Sequence, residues 1–404
     1  MITVEQASNI LEQAAGPVGV EDIDLHQAWG RILAGEVVSD RDQPPADRSA
    51  MDGFAVRAGD LSEPGRMLEV IGEIRAGDDP GGLSPGPGQA VRIMTGALVP
   101  AGADAVVMVE RTEEDRKAGT VQILERTKPG QHIRRRGEEA RAGDRLLAPG
   151  CRVRAAEMAA LASVGVSRVP VFRLPRVAVL TTGDEVVEPD QEVLDHQVRN
   201  SNAVTLLAQL REIGIEGRYL GIAPDRAERL EELLQDGVRG DLLLLTGGVS
   251  MGEYDLVADA LERIGTELLF HKVRVKPGKP ILAGRSGSCI VLGLPGNPVS
   301  AFTGFAVFAA PLLRRIGGWT RWRNREVAAR VLEPLPARPG RTTYHLVEAV
   351  FEDGNCAVRP TRTRGSGDVT SLARANAFAV TPGDPGGAPA GAVVPALLWR
   401  TPTL

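Results

Sequence analysis

The sequence predicts a multidomain α+β chain built around an α/β domain with a mostly parallel sheet. Three observations carry this. VAVLTTG (177–183), DLLLLTGG (241–248) and CIVLGLPG (289–296) are unbroken apolar runs that end in glycine, the pattern of strands buried on both faces. Helical patterns separate them, as a parallel sheet requires. On either side of this region lie short alternating runs broken by Gly, Pro and Asp, which predict β-rich flanking domains.

Taken in order, Thr3-Val4-Glu5-Gln6 is a capping box that opens a helix with Ala7, Ile10, Leu11 and Ala14 on one side. HQAWGRILAGE (26–36) predicts a second helix. In QPPADRSAMDGFA (43–55) two prolines stop any helix and Asp52-Gly53 makes a turn, with Ala50-Met51 reading as buried. From about 45 to 150 the runs MLEVIGEI, QAVRIM, DAVVMVE and TVQILER alternate with turns such as SPGPG and PAGAD, a small β-rich domain. RAAEMAALASVG (154–165) returns to helix. The α/β domain runs from about 171 to 318. Its helices are NSNAVTLLAQLREIG (200–214), capped by Asn200 or Ser201, then DRAERLEELLQDGVRG, YDLVADALERIG and the long apolar NPVSAFTGFAVFAAPLLRRIG. GRYLGIA and ELLFHKVRV are further strands. The tail, 320–404, carries short strands (REVAARVLEPL, TTYHLVEAVFE, CAVRPT, AFAVTP, AVVPALLW), a small β-barrel or sandwich.

At 404 residues the chain exceeds what one core supports. Aromatics are only 4%, too few for stacking platforms, and a net charge of −5 argues against nucleic acid or an anionic membrane as partner. Cys151, Cys289 and Cys356 are far apart, and the five histidines form no ligand-spaced pair, so neither a disulfide framework nor a zinc site is expected. A metal here would be a hard cation held by carboxylates and phosphates. The N-terminus is no signal peptide, and no run approaches the ~18 apolar residues of a membrane span, so a cytoplasmic location is expected.

Unusual residues gather where the predicted strands end, the place where open parallel sheets bind ligands. VAVLTTG runs into Asp184-Glu185, DLLLLT into Gly247-Gly248-Val249-Ser250-Met251-Gly252, and IVLGL into Pro295-Gly296-Asn297-Pro298-Val299-Ser300 at a helix start. Such loops offer backbone N–H groups to anions. Neither the P-loop nor the dinucleotide glycine pattern is present. Lys272, Lys276 and Lys279 add positive charge, and Pro277 and Pro280 stiffen their segment. Asp184, Glu185, Asp225 and Asp255 add carboxylates, although Asp225 and Asp255 also read as helix caps. Together these describe divalent-metal-assisted chemistry on a phosphorylated ligand, with no covalent nucleophile set. Thr95-Gly96 after a strand and the run Arg134-Arg135-Arg136 are further anion candidates, the arginines being equally readable as a solvated run.

SAMDGFA, MTGA, RRRGEE, TTGDE, TGGVSMGEYD, KPGKP and GLPGNPVS, in this order, together resemble the molybdopterin molybdotransferases, bacterial relatives of the gephyrin E domain. The resemblance spans essentially the whole chain. It implies an elongated helical region (1–45 and 140–170), a β-rich insert (46–139), a three-layer molybdopterin-binding α/β domain (171–318) and a C-terminal β-barrel (319–404). It implies insertion of molybdate into adenylylated molybdopterin with Mg²⁺ or a similar divalent cation, releasing AMP and molybdenum cofactor. It also implies a homodimer with shared active sites, in which Asp52 reaches the partner's cleft and Met51 anchors its turn, and a molybdopterin adenylyltransferase as substrate donor. Asp52, Thr95, Arg134, Glu139, Glu185, Asp225, Asp255, Lys272 and Lys276 fall on the family's catalytic positions. Asp52, Glu185 and Asp255 fall on its metal positions. Gly247, Gly248, Ser250, Gly252, Pro295, Gly296, Asn297 and Pro298 line its substrate loops. Lys276, Lys279, Ser300 and Arg341 resemble its oxyanion pocket, and RGSGDVTSLARANAF (364–378) an edge of that pocket. Glu139 stands where the family usually has aspartate, one methylene longer. A molybdopterin adenylyltransferase and a gephyrin-like scaffold are the alternative readings; the extra domains weigh against the first and the set of charged site residues against the second.

Overall fold

A computed structural model describes residues 1–249, 256–336, 338–352, 354–383 and 386–400. The chain forms two compact units, one comprising Met1–Ala34, Pro149–Arg154 and Arg168–Leu404, the other Gly35–Ala148 and Ala155–Ser167.

In the first unit the helix Val4–Ala14 carries the expected capping box, with Ala7 and Leu11 buried. The expected helix over 26–36 does not form. Leu25–Gln27 is a single 3₁₀ turn, and Ile32 and Leu33 instead make extended bridges to Arg152 and Val171. Gly30 sits at φ +81°, a left-handed conformation that ends any helix there. The central sheet has six strands in the order Gly217–Ala223, Val177–Thr182, Leu242–Thr246, Cys289–Leu294, Leu282–Ser286 and Glu267–His271. The first four run parallel and the last two pair antiparallel. Helices Ser201–Glu212, Ala227–Gly237 and Leu256–Arg263 connect them, and Asn200 caps the first by accepting from the Ala203 N–H.

The long apolar helix spans Pro298–Ile316 with a π-helical stretch at Phe305–Ala309. It has 19 residues and is apolar and long enough to cross a membrane, so the expectation that no run approaches that length fails. Its length is explained by the core, because 72% of that run is buried among the protein's own side chains. The C-terminal strands Val327–Val331, Thr342–Glu352, Asn355–Pro360, Ala377–Thr381 and Val393–Leu398 close into a five-stranded barrel through pairing of the second with the fourth. A short strand, Val275–Lys276, adds in parallel to Thr342–Thr343 and ties the lysine segment to the barrel.

The second unit holds a six-stranded sheet whose central strands include Gly53–Val56, paired to both Gln89–Ile93 and Ala105–Met108. The Asp52-Gly53 turn thus feeds directly into a strand, and Phe54 is fully buried. A Cβ at Gly53 would lie 1.9 Å from the Val107 carbonyl oxygen, so only glycine fits where these strands meet.

Candidate functional site

The carboxyl ends of the parallel strands open onto a cleft of about 570 Å³. Thr181, Thr182 and Glu185 line it from the Val177–Thr182 strand and the loop after it, Thr246 and Gly247 from Leu242–Thr246 and its end, and Gly296, Asn297 and Pro298 from the loop after Cys289–Leu294. Asn202, in the first turn of its helix, ties two of these ends together. Its Nδ2 donates to Thr246 Oγ1 (2.8 Å) and to the Gly296 carbonyl (2.7 Å). Gly247 adopts φ +95°, and a Cβ there would lie 2.5 Å from the Thr182 carbonyl oxygen. Thr182 Oγ1 and Asn202 Oδ1 are buried without a hydrogen-bond partner, unmet polar atoms in the wall of a polar cleft. The amides at the following helix start are engaged, since Val299 donates to the Ser366 carbonyl and Ser300 to that of Asn297 (3.0 Å each). An anion near this helix start is therefore drawn by side chains rather than by these two amides.

Of the predicted carboxylates, Glu185 lines the cleft, and Asp184 and Asp225 lie beside it without lining the cavity. Asp184 Oδ1 accepts the Asp225 N–H at 3.0 Å. Burial, then the charges of Asp184 and Glu185, push the Asp225 carboxyl above its usual range. Asp225 is not a helix cap, because that place belongs to Arg226. Among the described residues no three His, Cys, Asp or Glu side chains converge as a ready metal centre. Crowded like charges nonetheless fit a divalent ion that substrate phosphates help to hold. Ser250, Gly252 and Asp255 lie outside the described residues.

A second cavity, of about 620 Å³, adjoins the first and shares Asn297 with it. Lys276, Lys279, Pro295 and Ser300 line one side, and Arg341, Thr343, His345 and Thr361 line the barrel side. Burial, then Arg338 and Arg341, hold the Lys276 ammonium below its usual value. Burial, then Lys276, push His345 down to about 4, so its imidazole is neutral at physiological pH. Among the described residues no Asp or Glu lines this cavity. Cations crowded without counter-charges suit an anion. Gly365 and Ser366 line this cavity while Gly367 and Val369 line the first, so the 364–369 part of the predicted edge faces both. Lys272 lines neither cavity. It sits at φ +70°, with its N–H donated to the Ile281 carbonyl.

In the second unit Asp52 Oδ1 accepts from both the N–H and the hydroxyl of Thr95, each at 2.7 Å. These bonds, the backbone one first, lower its carboxyl below the usual range. Met51 is 40% exposed, so burial does not anchor the turn. The buried Ser49 does, donating to the Met51 carbonyl at 2.6 Å. Arg134 pairs with Glu138 and Glu139. It lies across the strand pair from Arg48, whose guanidinium donates to the Gly96 carbonyl. Arg135 and Arg136 pair with Asp47 and Asp42, so they are structural ion-pair residues.

Sequence reasoning missed Asn202, His345, Thr343 and Thr361. Asn202 carried a faint signal as the third residue of Asn200-Ser201-Asn202 after a strand-end loop. The other three acquire their place only through barrel closure.

A parallel sheet with a polar strand-end cleft and an adjoining cation-lined cavity defines an α/β protein that binds anionic ligands. Comparison makes this specific. The MoeA N-terminal region (domain I and II) matches residues 2–165, a probable molybdopterin-binding domain residues 178–315, and the MoeA C-terminal region (domain IV) residues 328–399. A molybdopterin molybdenumtransferase of a Nostoc species is 37% identical over 93% of this chain and 87% of its own. That of Haemophilus influenzae is 35% identical over 98% of both chains. A crystal structure of a molybdopterin biosynthesis MoeA protein from Pyrococcus horikoshii superposes with a TM-score of 0.85 at 32% identity, covering 99% of this chain and 100% of that one. The chain belongs to the molybdopterin molybdenumtransferase (MoeA) family.

Proposed function

We infer that this chain is a molybdenumtransferase of molybdenum cofactor synthesis, inserting molybdenum into molybdopterin. The observation that carries this is the pair of adjoining cavities, one polar cleft at the strand ends and one cation-lined pocket beside it. In the finer reading, adenylylated molybdopterin lies in the cleft against Gly247, Gly248 and Pro295–Pro298. Molybdate waits between Lys276, Lys279 and Arg341, whose charges fix a dianion, and the Ser300 hydroxyl. Glu185 and Asp255, with the partner subunit's Asp52, would hold Mg²⁺, which when bound neutralises phosphate charge. In that reading water cleaves the phosphoanhydride and AMP leaves, with Asp225 among the carboxylates that act beside Glu185. The chain acts as a homodimer, each cleft being completed by the partner subunit's Asp52, and receives its substrate from a molybdopterin adenylyltransferase.

The test is AMP release from adenylylated molybdopterin, with Mg²⁺, with and without molybdate, for the wild type and Asp52→Ala. Molybdate-dependent release that the variant loses is expected. Tight pterin binding without AMP release under any oxyanion overturns the reading in favour of a carrier or scaffold.

A further inference from the structure

Residues 184–199 leave the first parallel strand at Gly183 and return to cap the helix at Asn200. They form a flap bonded mostly to itself. Val186 donates to the Gly183 carbonyl, Val198 to that of Glu185 (2.8 Å), Asn200 to that of Val187 (2.8 Å), and Arg199 Nε to that of Pro189. The flap carries Glu185, Val186, Val198 and Arg199 into the cleft lining. Side-chain ties to the neighbouring sheet strand and the loop after it are few. One is Asp184 to the Asp225 N–H, close to Gly183. The other is farther out, where Tyr219 on the Gly217–Ala223 strand donates its hydroxyl to Glu188 Oε1 at 2.7 Å.

The same phenol oxygen accepts from Asn200 Nδ2 at 2.7 Å. Asn200 is 2% exposed, and its Oδ1 accepts from Thr181 Oγ1 (3.2 Å) and from the Ala203 N–H (3.1 Å). One hydroxyl therefore joins three things: the flap through Glu188, the helix cap through Asn200, and the cleft wall through Thr181. Burial and the Glu188 charge push the Tyr219 phenol upward, so it keeps its proton and remains a donor throughout the physiological range. A bond to a carboxylate is stronger than one between neutral groups, which suits the outer tie of a short segment.

We propose that Tyr219 is a positioning residue: it clamps the 184–199 flap to the cleft wall and thereby sets where Glu185 stands. It touches no reacting atom. The proposal rests on the strand-end cleft being the substrate site, and it deepens that reading by assigning its alignment to a residue outside the lining.

The experiment compares Tyr219→Phe, Glu188→Ala, Glu188→Gln and the double variant Tyr219→Phe/Glu188→Ala in the full chain. Phenylalanine keeps the ring's packing and removes only the hydroxyl. Hydrogen exchange of the amides of Val186, Val198 and Asn200 is read in the free protein. Tyr219→Phe and Glu188→Ala are each expected to speed it at least tenfold, and Glu188→Gln, which retains an acceptor, much less. The double variant is expected to exchange no faster than either single one, the sign of one shared interaction. In turnover of adenylylated molybdopterin, KM and the Mg²⁺ concentration for half-maximal rate rise about five- to tenfold while kcat changes less than threefold. Unchanged exchange in Tyr219→Phe, additive effects in the double variant, or faster exchange with unaltered KM and Mg²⁺ requirement each overturn the clamp. Absence of turnover in the wild type would instead overturn the functional reading, and the exchange data would still decide whether the clamp exists.

Discussion

Gly247 and Gly221 share the same left-handed φ and differ in surroundings, which allows the close fit of the cleft floor to be measured. Both have φ +95°. An alanine Cβ at Gly221 meets nothing within 4 Å, whereas at Gly247 it lies 2.5 Å from the Thr182 carbonyl oxygen and 2.9 Å from Thr182 Oγ1. Gly221→Ala thus carries only the left-handed strain of an L-residue, about 1–2 kcal/mol. Gly247→Ala carries the same strain plus a clash with the backbone of a central strand, which cannot swing aside like a side chain. That carbonyl would have to retreat by about 0.5 Å, an overpacking cost of about 1–3 kcal/mol more. The displaced atoms are the cleft wall itself, so substrate affinity is expected to fall about 10- to 100-fold in Gly247→Ala and less than twofold in Gly221→Ala. Urea unfolding with titration of adenylylated molybdopterin into both variants checks this. Equal losses of affinity in the two would refute the reasoning, because backbone strain alone would then account for the effect.

Asp225→Asn is expected to stabilise the free protein at every pH above this carboxyl's raised value. The folded carboxyl lies above its usual value, so its contribution to stability is present at low pH and is lost as pH rises through the folded value; thermal melts across pH 4–8 check the sign. Asp241→Ala is expected to cost about 3–5 kcal/mol with KM unchanged. Its carboxylate, 7% exposed, accepts from both terminal nitrogens of Arg173 (3.1 and 3.0 Å) and from the Arg176 N–H (2.7 Å), at the opposite end of its strand from the cleft. Arg173 and the Arg176 amide hold that carboxyl below its usual range against the opposing pull of burial, so in the wild type this stabilisation is present above the usual range and lost as pH falls through the depressed value.

What the sequence disclosed follows the range of the interactions involved. The buried strands of the central sheet were legible because burial on both faces makes them continuous apolar runs. The segment 26–36 was misread because its apolar spacing suits a helix, while Gly30 and cross-strand bonds to Arg152 and Val171 decide otherwise. Gly53–Val56 was hidden because four residues after an Asp-Gly turn carry no period, although Phe54 is among the largest fully buried side chains. In the site, the strand-end loops were legible one by one from glycine and proline placement. Barrel closure was not, because pairing Val275–Lys276 with Thr342–Thr343 joins segments far apart in the chain. His345 reaches the cation cavity only through that closure.

The cation cavity also works against the fold that contains it. Burial, Arg338 and Arg341 all act against the charged form of Lys276, and burial, then Lys276, keeps His345 neutral. Among the described residues no carboxylate lines the cavity to relieve this. A cluster that repels itself is what an anion site requires, since a dianion then gains from every charge at once. Lys276→Met keeps the length of the stem and removes the charge. The free variant is therefore expected to melt at a higher temperature than the wild type, and to bind molybdate about tenfold more weakly. Saturating molybdate should raise the melting temperature of the wild type more than that of the variant. A variant that melts lower than the wild type while binding molybdate equally well would mean that Lys276 serves packing rather than the anion.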